Sequence, residues 1–240
     1  MLKITDLAVT VEDKQVLQGL NLVVNSGEVH VLLGPNGSGK SSLAQTILGN
    51  PAYQITQGKI EFNGQDITQA SMADRAKLGL ALSFQEPPEI KGVTLENLIN
   101  LIKNNQEKSL LQPEDLALAK DLLLREVNHN FSGGEKKLSE VLQILSLNPK
   151  LVIFDELDSG LDLVNLHKIL QIIKRDLLAN DIPVIFITHH GQIVDGLQPD
   201  WTHVMLEKKI ICNSEDYQKV INTIRDNGYD KCRQCQFVDR

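Results

Sequence analysis

The sequence has no basic excess, no long apolar run and no cysteine framework, and each lack narrows what the chain can be. Its 24 Lys and Arg residues face 31 Asp and Glu, a formal charge of −7. Sequence-independent grip on nucleic acid needs a net cationic face, so the balance argues against that class. No basic run interrupts the pattern, so any anion site must be local and built from backbone groups. The longest apolar stretches, such as Leu151–Phe154 and Val184–Ile187, are strand-sized and far short of a membrane span, so no direct membrane insertion is expected. The opening Met1-Leu2-Lys3-Ile4-Thr5-Asp6 lacks the apolar core of a secretory signal. Three cysteines make an odd set, with Cys212 far from Cys232 and Cys235. That argues against a disulfide framework and fits a reducing cytoplasm. Internal repeats and low-complexity tracts are also missing.

What is present is globular: 240 residues, 42% hydrophobic and 23% charged, enough for a sizeable α/β core. Alternating apolar and polar positions predict antiparallel strands near 2–10, 15–24 and 28–33. A glycine-rich loop over 34–39 and a helix over 40–49 follow. Gly58 to Phe62 reads as a strand before the Asn63-Gly64 turn, 71–78 as a helix and 79–84 as a buried strand. From about 87 the character becomes helical. Thr94 can cap a helix with Leu95, Leu98, Ile99 and Ile102 on one face, and Pro113 suits the first turn of a second helix running to about 127. Helix 133–147, strand 150–154, helix 162–179 and strand 183–188 then alternate, which indicates a parallel sheet with helical crossovers. Residues 201–212 are expected to give one or two terminal strands, and Ser214 with Asp216 to start a final helix.

Three motifs carry chemistry. In Gly34-Pro35-Asn36-Gly37-Ser38-Gly39-Lys40-Ser41-Ser42, the glycines let successive backbone N–H groups wrap a polyphosphate, and the helix after Gly39 adds its free amides. Lys40 would reach the β- and γ-phosphates of ATP, and the Ser41 hydroxyl would bind Mg²⁺. The run Leu151-Val-Ile-Phe-Asp155-Glu156 delivers two carboxylates to the carboxyl edge of a sheet. Asp155 there would hold Mg²⁺, mainly through water, and Glu156 could polarise the attacking water. Ser132-Gly133-Gly134-Glu135 is a capping box whose glycines open the start of helix 133–147 to an anion. Cys232 and Cys235 stand at metal-ligand spacing, but two cysteines make only half a site.

The order of these motifs resembles the ABC ATPases: Phe131-Ser-Gly-Gly-Glu135 stands about 20 residues before the acidic strand end, as their signature sequence does. The resemblance implies an α/β P-loop NTPase with a mixed, largely parallel core sheet, an N-terminal antiparallel β subdomain and a helical subdomain. It divides the chain into a nucleotide-binding core, about 1–86 and 148–240, and a helical part, about 87–147. It also implies roles for Gln85 (Mg²⁺ and the attacking water), Asp162 (the loop after the acidic strand) and His189 (the γ-phosphate). Ser132, Gly133, Gly134 and Glu135 would close over ATP held by the P-loop of a second copy, an ATP-dependent homodimer. An adenine-stacking aromatic is missing near Val9–Val11, so aliphatic base contact is expected.

Within that family, Asp155-Glu-Leu-Asp-Ser-Gly-Leu-Asp162, Phe131-Ser-Gly-Gly-Glu-Lys-Lys137, His30 and the 88–94 run resemble the SufC-type ATPases of iron–sulfur cluster assembly. Leu138, Lys208-Lys209 and the Cys-x-x-Cys tail depart from that pattern. The resemblance implies a SufB/SufD-type scaffold as partner. The alternative it leaves is the energising subunit of a membrane transporter.

Overall fold

The computed structural model describes residues 1–85, 87–104, 109–188 and 196–234. Its centre is a six-stranded sheet in which β3 (Val29–Leu33) lies between β10 (Val184–Ile187) and β11 (Trp201–Leu206). Next to β10 come β9 (Leu151–Asp155) and then β6 (Leu80–Ser83), all parallel. β12 (Lys209–Ser214) closes the other edge antiparallel to β11. A second, antiparallel sheet holds β2 (Lys14–Val24), β1 (Leu2–Val11), β4 (Gln54–Phe62) and β5 (Gln65–Asp66). The 28–33 strand is therefore not antiparallel as the alternation suggested. It belongs to the parallel sheet, because both of its faces are covered and all five residues are buried.

Both faces of the parallel sheet are apolar for the same reason. Val152, Phe154, Val184 and Phe186 face one core, while Leu151, Ile153, Ile185 and Ile187 face the other. Phe154 and Phe186 stack across β9 and β10 with centroids 5.2 Å apart. Helix α1 (Lys40–Leu48) fills the space between the two sheets through Leu43, Ala44 and Ile47. Helix α6 (Gly133–Ser146) covers the opposite face with Val141, Leu142, Ile144 and Leu145.

The segment from 87 onward departs from expectation in two ways. The helix beginning at Pro113 is not continuous to 127. It breaks into α4 (Pro113–Leu118) and α5 (Lys120–Leu123), and β8 (Glu126–Val127) follows. β8 pairs antiparallel with β7 (Ile90–Thr94), a ribbon not expected from composition. Thr94 does cap α3 (Leu95–Asn104), its hydroxyl accepting the Asn97 N–H at 3.2 Å. Arg175, in a π turn that prolongs α7 (Leu163–Ile172), pairs with fully buried Asp115 of α4 and so ties this segment to the end of α7. Helix α8 (Tyr217–Asn227) starts at Asp216, whose carboxylate accepts from Lys219 N. Among the described residues, no helix is long and apolar enough to cross a membrane. Cys232 is buried, Cys235 lies outside the described residues, and no group of three or more His, Cys, Asp or Glu among the described residues could hold a metal.

Arg75, 2% exposed on α2 (Met72–Lys77), spends its guanidinium on four carbonyls: Thr46, Ile47, Thr68 and Ala70, at 2.8 to 3.0 Å. Thr46 and Ile47 end α1, so this cation closes the helix that begins at the P-loop. Arg75→Met leaves those carbonyls buried and unpaired. Thermal and urea unfolding should show a loss of about 3 kcal/mol and roughly 10 °C in Tm.

Candidate active site

The P-loop leaves the carboxyl end of β3 at Gly34. A side chain there would strike the Met205 carbonyl, so only glycine lets the loop lie this close to β11. Gly39, at φ 108, turns the chain into α1, and no side chain caps that helix. Its first amides are thus directed to whatever the loop encloses. The Ser38 hydroxyl is buried without a hydrogen-bond partner. The Lys40 ammonium, 4% exposed, donates to Gly34 O at 2.8 Å and Pro35 O at 3.1 Å. Burial pushes its pKa below the ordinary lysine range, while Glu156 and Asp155 pull it back up. Beneath the loop, Lys208 N–H donates to Ser38 O at 3.0 Å and its carbonyl accepts from Gln18 N–H at 2.9 Å. Glu207 and Lys208 make that turn at φ 50 and 69, where glycine is usual.

Asn36, Gly37, Gly39, Lys40, Ser41, Ser42, Gln85 and Glu156 line a cleft of about 390 Å³, within the range of small-molecule sites. Asp155 ends β9 beside it, its N–H donating to Ser83 Oγ at 3.2 Å. Burial raises the Asp155 carboxyl, a hydrogen bond from Ser41 opposes that rise, and Glu156 adds to it. Asp155 Oδ1 is buried with no hydrogen-bond partner. Glu156 follows at φ 53, its N–H held by Ile187 O at 2.9 Å. Gln85 Nε2 donates to Glu156 Oε2 at 2.6 Å. The structure thus brings Gln85, Lys40, Ser41, Asp155 and Glu156 together at one sheet edge.

The other half of the expected site lies apart. Ser132 accepts Glu135 N–H at 3.3 Å and Glu135 accepts Ser132 N–H at 2.6 Å, the capping box expected from spacing. Arg125 holds Glu135 at 2.8 Å and stacks over Phe131. None of Ser132 to Glu135 lines the P-loop cleft. Ser132, Gly134 and Glu135 line a separate hollow of about 190 Å³. Asp162 caps α7, accepting the N–H groups of Val164 and Asn165 at 2.9 Å. His189 lies outside the described residues.

Residues 17–159, more than half of the chain, match the ABC transporter family. The chain is 41% identical to the probable ATP-dependent transporter SufC of Escherichia coli, across 95% of this chain and 97% of that one. It is 42% identical to the probable ATP-dependent transporter ycf16 of Antithamnion sp., across 88% and 90%. The chain belongs to the ABC ATPase family. It is an ATPase, similar to SufC over nearly its whole length. A nucleotide-free ATP-binding cassette from an ABC transporter superposes with a TM-score of 0.79 at 27% identity, covering 98% of this chain and 99% of that one.

Sequence reasoning missed two charged residues beneath this ATPase's cleft. Lys137 and Glu140, one turn apart on α6, are 4% and 5% exposed. Lys137 donates to Phe84 O at 3.1 Å and Gln85 O at 3.2 Å, and Glu140 accepts Phe84 N–H. The available signal was two charges on the side of α6 where Val141, Ile144 and Leu145 are buried. Burial lowers the Lys137 ammonium and pushes the Glu140 carboxyl up to about 7, with the Phe84 N–H and Lys137 opposing the second shift. A folded pKa raised above the unfolded value gives stability that is full at low pH and is lost as pH climbs toward and through about 7. Glu140→Gln has no such loss. Its stability relative to wild type should improve by on the order of 2 kcal/mol between about pH 5 and about pH 8 in urea unfolding.

Proposed function

We propose that this ATPase drives iron–sulfur cluster assembly, working as an ATP-dependent homodimer on a SufB/SufD-type scaffold in the cytoplasm. One observation carries the dimer: the P-loop cleft and the Ser132–Glu135 hollow are lined by separate residue sets within one chain. A nucleotide clasped by both motifs needs the second from another copy. Gly34 to Ser42 would hold the triphosphate of one protomer's ATP. Ser132, Gly133, Gly134 and Glu135 of the mate would cover it, with Asp162 in the adjoining loop. The scaffold assignment is supported by 41% identity to SufC across 95% of the chain, and by Leu157-Asp158 where transport ATPases continue with Pro-Thr. The part over about 87–147, with the loop at Gln85, is the docking face we assign to the scaffold. Residues 1–86 and 148–240 form the nucleotide core.

Mg²⁺ fits the oxygens present: the partnerless Asp155 Oδ1, the Ser41 hydroxyl and the Gln85 side-chain amide oxygen are hard donors of the kind it takes. When bound, it would neutralise charge on the β- and γ-phosphates. Glu156, held by Gln85 at 2.6 Å, takes the proton of the attacking water as its oxygen bonds to the γ-phosphorus. ADP leaves with the bridging oxygen's electron pair. Lys40 and the loop amides face the phosphate charge, and the family resemblance assigns His189 to the γ-phosphate.

Glu156→Gln keeps the hydrogen-bonding shape but loses the base. It should bind Mg-ATP with near wild-type affinity, hydrolyse it at least a hundredfold more slowly and accumulate as a dimer in size-exclusion chromatography. Turnover close to wild type would remove Glu156 from the role. Affinity purification from the native host, with and without ATP, distinguishes the partners. A scaffold without membrane spans supports assembly, whereas recovery of a polytopic membrane protein instead would make this the energising subunit of a transporter.

A further inference from the structure

Gln85 is exposed, and Phe84 before it is 47% exposed. Apolar packing therefore does not fix the segment that carries the Gln85 side chain to Glu156. What fixes it is polar and comes from α6. Glu140 Oε1 accepts the N–H of Phe84, and the Lys137 ammonium holds the carbonyls of Phe84 and Gln85. The peptide units on both sides of Gln85, and the one before Phe84, are thus each tied once to the same helix. The cost is visible at Glu140, where Oε2 is buried with no hydrogen-bond partner, a penalty that folding alone gives no reason to keep.

We infer that Glu140 is a positioning residue for ATP hydrolysis: from α6 it grips the Phe84 amide, sets Gln85 against Glu156, and so makes the placement of the water-activating carboxylate depend on the helix that begins at Ser132. The inference rests on the assignment of Gln85 and Glu156 to water activation. Its physical content is that a displacement of α6 is transmitted to Glu156 through a hydrogen-bonded backbone, with no movement of the P-loop. ATP binding should then be nearly blind to Glu140, while the chemical step is not.

The test is steady-state ATPase kinetics of the full chain, with amide hydrogen exchange at Phe84 measured on the same samples. Glu140→Gln keeps an acceptor oxygen at the same reach. It should hold kcat within about threefold of wild type and leave Phe84 exchange slow. Glu140→Asp keeps the charge but falls short of the amide, and Glu140→Leu keeps neither. Both should lose roughly tenfold or more in kcat, with KM for Mg-ATP within about twofold and Phe84 exchange accelerated. Should Glu140→Leu fail to fold, the Gln and Asp pair still separates reach from charge. A wild-type kcat in Glu140→Asp despite faster Phe84 exchange overturns the inference, as does a fall in Glu140→Gln equal to that in Glu140→Asp. An inactive Glu156→Gln beside a fully active Glu140→Asp would remove this inference alone. A fully active Glu156→Gln would remove the site assignment together with it.

Discussion

The parallel pairing of β3 with β10 on one side and β11 on the other is the constraint from which the rest of the molecule follows. Parallel strands all end at the same edge, so Gly34, Asp155 and Thr188 emerge side by side although they are far apart in sequence. The edge is then finished by local hydrogen bonds. Glu156 N–H is held by Ile187 O, the Thr188 hydroxyl donates to Asp158 at 2.7 Å, and Lys208 N–H reaches Ser38 O. Burying both faces of β9 and β10 takes the continuous apolar runs Leu151–Phe154 and Val184–Ile187.

A chain of net charge −7 can serve an anionic ligand because its cleft draws on groups that do not appear in a charge count. The amides of the P-loop and of α1 carry partial positive charge without any side chain. Two buried lysines stand by the cleft: burial lowers the pKa of both, Glu156 and Asp155 oppose that shift at Lys40, and Glu140, then Asp155 and Glu156, oppose it at Lys137. Lys40 and Glu156 thus place one charge of each sign on the lining of the cleft. This allows an acidic surface elsewhere without repelling a triphosphate.

The legible parts of the sequence were those in which one short segment encodes its own backbone geometry. Gly34 and Gly39 announce a loop that no other residue fits, Ser132 with Glu135 announces a capped helix, and Leu151 to Asp155 a buried strand. The illegible parts depend on partners elsewhere in the chain. Strand β4 begins at Gln54 rather than Gly58 because β1 offers ladder partners as far as Thr10, and nothing in Gln54-Ile-Thr-Gln57 says so. The break at Ala119 and the β7–β8 ribbon come from tertiary packing overriding a helical pattern. Arg75, Lys137 and Glu140 read as ordinary surface charges, since only the folded chain shows which carbonyls and amides they meet.

The strained positions show where the fold gives up local preference for placement. Glu156, Glu207 and Lys208 are non-glycine residues in the left-handed region, a conformation that costs each of them on the order of 1 kcal/mol or more. Such strain persists only where surrounding bonds over-determine the backbone, and here they do. Glu156 is pinned by Ile187 and by Gln85, and Lys208 is pinned by Ser38 on one side and Gln18 on the other. At Lys208 a glycine would relieve the strain, yet Lys208 N–H still supports the P-loop from below. The tolerance of lysine there shows that the hydrogen bond, not the residue type, is what the turn supplies to the site. At Glu156 the same conformation re-aims the carboxylate one residue past the strand, into the cleft, where an extended backbone would direct it elsewhere. Backbone strain and catalytic geometry are in that sense the same feature of this edge.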